Sequence, residues 1–266
     1  MIGRRNLLAS PALLLARGAG AEEWRGSPAQ GALVVGRTDP GTRMTLDGRA
    51  VRVSPAGDFC FGFGRDAPAT ATLVVTPPSG RAQTRTIQVR KRQWDVQNIT
   101  GLPPAQVTPD EAALRRIMAE RETLAAARAT DSDLTGFTET LAWPARGRIS
   151  GVFGSQRVLN GQPRQPHYGF DIAVPTGTPL ACVLSGRVTL SAEQFFFGNL
   201  IVVDHGHGVN SLYAHLSARM VNVGDIVSRG QVIAQSGATG RVTGPHLHFS
   251  LSWYQTWLDP QPLFPA

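Results

Sequence analysis

The chain has 266 residues, of which 42% are hydrophobic and 17% charged, and a formal net charge of +7. This length accommodates two domains of ordinary size, the composition is that of a globular protein, and no run approaches the roughly 18 apolar residues of a bilayer-spanning helix. The basic balance suits a negatively charged partner, but the cations are dispersed and no nucleic-acid motif accompanies them, so neither a nucleic-acid partner nor a transmembrane segment is predicted.

The first element is a targeting segment. Arg4 and Arg5 precede an apolar run from Leu7 to Leu15, and Ala19-Gly20-Ala21 offers a cleavage site before Glu22. Residues 1–21 are therefore expected to be a signal peptide, and the protein to be exported to the periplasm or cell envelope. Arg4-Arg5-Asn6-Leu7-Leu8 also hints at a twin-arginine signal, so the export route stays open. Cleavage would remove three Arg and no acid, leaving 23 cations against 19 acids, or +4.

Residues 22–100 read as a small all-β domain of sandwich type. Short apolar runs such as Leu33-Val34-Val35, Thr72-Leu73-Val74-Val75 and Thr86-Ile87-Gln88-Val89 alternate with turn signals, and Asp47-Gly48 and Pro78-Ser79-Gly80 mark hairpins. No chemistry is visible there. A linker with a helix follows over residues 101–135. It opens with Gly101-Leu102-Pro103-Pro104, and Thr108 is placed as N-cap, with Pro109 first in the helix and Glu111 three residues on. Leu114, Ile117, Met118, Leu124 and Ala125 form an apolar stripe that ends by about Thr130.

Residues 136–266 read as strands and glycine-rich turns. The segment Val223 to Ala234 has the form of a hairpin like those of lipoyl and biotinyl carriers. Such carriers need a lysine at the tip, and the one lysine of this chain is Lys91. Asp204-His205-Gly206-His207-Gly208 reads as a turn, with its histidines assigned no metal. Cys60 and Cys182 are expected to be two buried free thiols, one in each domain.

The chemistry sits in three motifs that hold four of the six histidines: His167-Tyr168-Gly169-Phe170-Asp171, Tyr213-Ala214-His215 and Pro245-His246-Leu247-His248. Catalytic zinc takes three ligands from His, Asp, Glu or Cys and leaves a position for water, which then ionises near neutral pH. His167, Asp171 and His248 form a suitable donor set. Leu247 to Trp253 alternates in polarity like a strand, so His246 and His248 would face one pocket, both binding metal or one handling protons. Prolines and glycines crowd the stretch from His167 to Asp171, which argues against a helix. An extended path of four residues is about 13 Å long, so the chain must bend, with Gly169 as the hinge.

These motifs resemble the lysostaphin-type (LytM-like) zinc metallopeptidases, which cut peptidoglycan cross-links. The likeness runs from Trp143 to Pro260 and includes Gly147-Arg148-Ile149-Ser150-Gly151-Val152-Phe153-Gly154, the run from Asn160 to Asp171, Tyr213 to Ser217 and Gly240 to Phe249. It implies one zinc ion held by His167, Asp171 and His248. It also implies His215 and His246 as the catalytic pair, either of which could be the general base, in an antiparallel β-sheet peptidase domain. Cys182 and the aromatic run Phe195-Phe196-Phe197 depart from the pattern, away from these five positions. Asn160 and Arg164 are candidate substrate-binding residues near the groove; Arg164 either pairs with a substrate carboxylate or is a solvated loop charge.

The expected function is an exported zinc endopeptidase acting on peptidoglycan stem peptides, with envelope proteins as further partners. The alternative is a non-catalytic scaffold of the same fold that activates another wall hydrolase. A third reading keeps the zinc and changes the peptide.

Overall fold

The computed structural model describes residues 23–102 and 107–265. The expected signal peptide and the Pro103-Pro104 pair lie outside the described residues. The first half builds two small antiparallel sheets. One has the order β1 (Glu23–Arg25), β2 (Leu33–Arg37), β5 (Asp58–Gly62); the other runs β4 (Arg49–Val51), β3 (Arg43–Leu46), β6 (Thr70–Thr76), β7 (Gln83–Gln88). Asp47 and Gly48 join β3 to β4 with φ of 49° and 81°, the two-residue turn whose twist matches the strands it connects. Along β6 the buried positions are Ala71, Leu73 and Val75, while Thr72 between them is exposed and Val74 half-buried.

The apolar residues of these sheets do not close a core alone. Phe59, Phe61, Met44 and Leu73 share a cluster with Val209, Leu251, Trp253 and Leu258 from the second half. Arg92 pairs with the buried Asp259 at 2.7 Å, and Arg65 Nε donates to the Gly154 carbonyl at 2.7 Å. β8 (Val96–Ile99) then leaves the first half and runs parallel to β10 (Gln156–Leu159), which also pairs with β11 (Gln162–Pro163).

The helix α1 spans Glu111–Arg128. Its N-cap is Asp110, not Thr108: the Asp110 carboxylate accepts from Ala113 N at 2.8 Å, satisfying a first-turn N–H that would otherwise be unpaired. The apolar stripe is also only half-covered. Leu124 and Ala127 pack on Leu190, Leu200, Val202 and Leu212, whereas Leu114 and Met118 are 48% and 62% exposed. The last turn is anchored by Arg128, whose guanidinium lies 3.3 Å from the centre of the Trp257 ring and donates to Tyr254 O.

The second half is an antiparallel sheet in the order β18 (Ile226–Val227), β14 (Gly186–Gln194), β15 (Gly198–Asp204), β16 (Val209–Leu216), β20 (Leu247–Trp253), β12 (Phe170–Ala173), β9 (Arg148–Gly151), with β21 (Thr256–Leu258) also on β20. A smaller sheet, β13 (Pro179–Ala181), β19 (Val232–Gln235), β17 (Ala218–Arg219), packs against it through Leu180, Ile233 and Ala234. The expected hairpin over Val223 to Ala234 does not form. β18 pairs with β14 and β19 with β13, because the turn at Ser228 to Gln231 sends the chain from one sheet to the other. The overall architecture is mainly β with distinct N- and C-terminal sheet regions and an internal helix. Both cysteines are free and buried.

Candidate metal centre

The central strands set the site. Asp171 on β12 is the register partner of His248 on β20, and Ala214 on β16 is the partner of His248 on the other side. Direct partners across a ladder point to the same face, so Asp171 and His248 meet, with Oδ1 2.8 Å from Nδ1. His167 comes from the extended segment before β12. The chain bends at Gly169, which returns the His167 ring to the same point. His167 Nε2 lies 3.1 Å from His248 Nδ1 and 3.1 Å from Asp171 Oδ1.

Hydrogen bonds behind the two rings fix which nitrogens are bare. His167 Nδ1–H donates to Val152 O at 3.1 Å, leaving the Nε2 lone pair facing inward. Ser250 Oγ lies 2.8 Å from Tyr168 O, its hydrogen-bond acceptor, so it can only accept from His248 Nε2–H, at 3.0 Å. That leaves His248 Nδ1 bare as well. Two nitrogen lone pairs and a carboxylate oxygen therefore converge on one point with no proton between them. A cation satisfies such an arrangement, and partners that fix the tautomer in this way are typical of metal ligands. Bonds of about 2.0 Å in a tetrahedral zinc site separate its ligand atoms by about 3.3 Å, close to the spacing seen here. The donor set and its geometry fit zinc.

Burial pushes the Asp171 carboxyl up, but His167 and His248 beside it outweigh that and hold it well below the ordinary carboxylate range. Burial lowers His248 to about 4 against the opposing pull of Asp171, so its ring is neutral at pH 7. Arg157 Nη2 holds the other carboxylate oxygen of Asp171 at 3.2 Å.

His215 and His246 stand beside this cluster, their ring centres 4.8 Å apart. His246 precedes β20 instead of sitting on it, and its Nε2 lies 4.0 Å from Asp171 Oδ1. His215 Nδ1 bonds Thr239 O at 2.9 Å and His246 Nδ1 bonds Gly244 O at 2.8 Å; each ring must donate to that carbonyl, which leaves Nε2 bare. His215 sits at φ 62° where the β15–β16 register slips between Asn199 and Ile201, an uncommon conformation for a non-glycine residue that here aims a side chain. Burial, then the nearby His248 and His246, hold its pKa well below the usual histidine value.

Two glycines make room for this packing. A Cβ on Gly169 would lie 2.3 Å from His248 Cε1, and one on Gly151 2.4 Å from Asp171 Oδ2. Ser250 was open to sequence reasoning, because it lies two residues from His248 on the same strand face. Arg157 was not, since no spacing rule links it to Asp171. Asn160 and Arg164 are placed against the linker: Asn160 Nδ2 donates to Leu102 O at 2.8 Å, and Arg164 Nη2 to Val107 O at 2.9 Å. Arg164 also lines the cleft described below. His205 and His207 lie in the β15–β16 turn, apart from the cluster, with His205 bonded to Ser185 O and Ser211 Oγ.

The site divides two hollows. His167 and His248 line a cleft of about 590 Å³ walled by Leu114 and Met118 of α1. Asp171 and His246 line a smaller hollow of about 150 Å³ whose far side is Gln97, Ile99 and Leu102.

Comparison with known proteins was consistent with this geometry. A profile of Peptidase family M23 matches residues 165–260. The peptidoglycan DD-endopeptidase ShyA of Vibrio cholerae is 44% identical over 108 residues, covering 40% of this chain and 25% of ShyA. The chain thus spans about a quarter of that relative's length. A Pseudomonas aeruginosa crystal structure described as an M23 peptidase superposes with a TM-score of 0.69 at 29% identity, covering 88% of this chain and 93% of that one. The catalytic domain of the antimicrobial peptidase lysostaphin from Staphylococcus simulans is 34% identical, covering 44% of this chain and 90% of that one, with a TM-score of 0.40.

Proposed function

Because the chain belongs to peptidase family M23, we propose that it is a zinc endopeptidase that hydrolyses peptide cross-links of peptidoglycan in the periplasm or envelope. The observation that carries this reading is the convergence of three unprotonated donor atoms, His167 Nε2, Asp171 Oδ1 and His248 Nδ1, beside two histidines that present bare Nε2 atoms. When bound there, zinc supplies Lewis-acid polarisation of the scissile carbonyl and lowers the pKa of water.

The chain's own residues do the rest. His167, Asp171 and His248 hold the ion, while Val152 O and Ser250 orient the two rings. His215, kept neutral by burial, takes a proton from the attacking water as general base. His246, on the side of the smaller hollow, presents the second bare Nε2 that can accept this proton, and the ring that takes it returns it to the leaving nitrogen. The cleft under α1 receives the acyl side of the peptide. In this reading residues 136–266 hold the chemistry, residues 22–100 complete the packing behind it and residues 101–135 form one wall.

The intact donor set favours an enzyme over a scaffold that only activates another hydrolase. The test is a digest of purified peptidoglycan, with and without a zinc chelator, read by mass spectrometry of released muropeptides. Chelator-sensitive loss of cross-linked dimers is expected. Absence of cleavage by zinc-loaded protein would overturn the reading.

A further inference from the structure

Three arginines stand beside the metal ligands. Arg157 and Arg241 line both hollows, as does His215, so the two guanidiniums stand at the junction where a bound peptide would cross. Arg164 lines the larger hollow nearby. The carboxylates that line the hollows are Asp171 and Glu120, and both are engaged: Asp171 by His167, His248 and Arg157, and Glu120 by Arg116 and by Phe195 N.

Arg157 uses Nη2 on Asp171, and its buried Nε has no hydrogen-bond partner among the described residues. An unmet buried donor is unfavourable. Arg241 is set in place by its backbone N–H, which donates to Phe196 O at 2.9 Å, and by its guanidinium, 4.1 Å from the centre of the Phe196 ring. Burial, with Arg157 and Arg164 close by, lowers its pKa to about 10, so it stays cationic at neutral pH. Like charges gathered beside a buried unmet donor are stabilised by an anion, and the guanidinium fork is shaped for a carboxylate.

We propose that Arg157 and Arg241 form a carboxylate subsite, and that its ligand is the free α-carboxylate of the residue that leaves as the amine. The leaving side follows from the smaller hollow. It brings Arg157 and Arg241 together with His246 and Asp171, so a residue whose nitrogen faces His246 sets its own carboxylate against the guanidiniums. The substrate class is a peptide whose scissile nitrogen and a free carboxylate share one carbon: a C-terminal residue, or a cross-linking diamino acid joined through the amine next to its own carboxylate. Glycine-bridge peptides, with no carboxylate at that carbon, fall outside it. The inference rests on the peptidase reading above.

The test uses the full chain and one matched pair, an N-acyl-D-alanyl-D-alanine peptide and its C-terminal carboxamide. With zinc loaded, kcat/KM for the acid is expected to exceed that for the amide about tenfold or more, the value of one charge-assisted contact. Arg241→Gln should remove most of that preference, and Arg241→Lys should restore part of it. Equal rates for the two peptides in the unsubstituted chain would overturn the proposal, whether or not the variants fold. Affinities of the same pair for zinc-free protein, by NMR titration, separate this from the peptidase reading. Failure to cleave either peptide counts against the peptidase alone. Preference of the zinc-free chain for the acid supports the subsite, and equal binding rejects it.

Discussion

Asp171 and His248 are direct partners across the β12–β20 ladder, and the 2.8 Å contact between Oδ1 and Nδ1 is a consequence of register. A slip of one residue would turn one of the two to the opposite face. His167 Nε2 completes the triangle from outside the ladder. Zinc in hundredfold excess over its Kd would add about 2.7 kcal/mol to stability, a melting shift of roughly 5–10 °C for a protein of this size. Calorimetry with and without zinc should show that shift in the unsubstituted chain and lose it in Asp171→Asn and His248→Ala, together with hydrolysis. A zinc-dependent shift that survives in both variants would place the metal elsewhere.

The atoms behind the ligands should matter almost as much. Ser250→Ala removes the acceptor that holds the proton on His248 Nε2, and loss of such a partner typically weakens metal binding about 10–100-fold. Gly169→Ala acts by volume, because its Cβ would press on the His248 ring at 2.3 Å. Gly244→Ala, where an added Cβ meets nothing within 4 Å, is the control. Competition with a chromophoric chelator should rank Gly169→Ala and Ser250→Ala well below the unsubstituted chain and Gly244→Ala beside it.

Much of this site was legible because zinc chemistry uses few residue types and strands repeat every two residues. His248 and Ser250 share a face for that reason. The bend at Gly169 could be inferred because an extended path would have carried His167 away from Asp171. Arg157 and Arg241 were not legible, since tertiary packing alone brings them to the junction. The pattern of Thr108 with Pro109 and Glu111 marks Thr108 as the N-cap, but the helix starts two residues later, where the Asp110 carboxylate caps Ala113 N. The Val223–Ala234 segment had the signals of a hairpin, but local turn chemistry does not say which sheet the second strand will join. The first half reads as an independent sandwich in its alternation, yet its Phe59 and Phe61 share a core with Trp253 and Leu258, a contact that no local pattern encodes.

The helix stripe makes the same point and can be tested. Leu114 and Met118 hold good stripe positions but face the cleft, at 48% and 62% exposure. Leu124 is buried against Leu190, Leu200 and Leu212. Leu124→Ala should cost about 2–5 kcal/mol in urea unfolding, whereas Met118→Ser should stay within about 0.5 kcal/mol. A large cost at Met118 would mean that the helix packs by its whole stripe.

Acid sensitivity should arise in part away from the metal. His205 is fully buried between Ser185 O and Ser211 Oγ, and burial lowers its pKa to about 4. The unfolded chain has a histidine pKa near 6.5, so between pH 6.5 and 4 the unfolded state binds more protons at this residue than the folded one. Stability from His205 is therefore fully present above about pH 6.5 and drains away as pH falls toward 4, by about 3 kcal/mol in total. His205→Asn can keep a donor for Ser185 O but cannot titrate. With chelator present to exclude metal loss, the variant should be less stable at pH 7 and show a flatter decline, so that the two stability curves converge on acidification. Parallel curves from pH 7 to 4.5 would show that the buried ring is not the group that titrates.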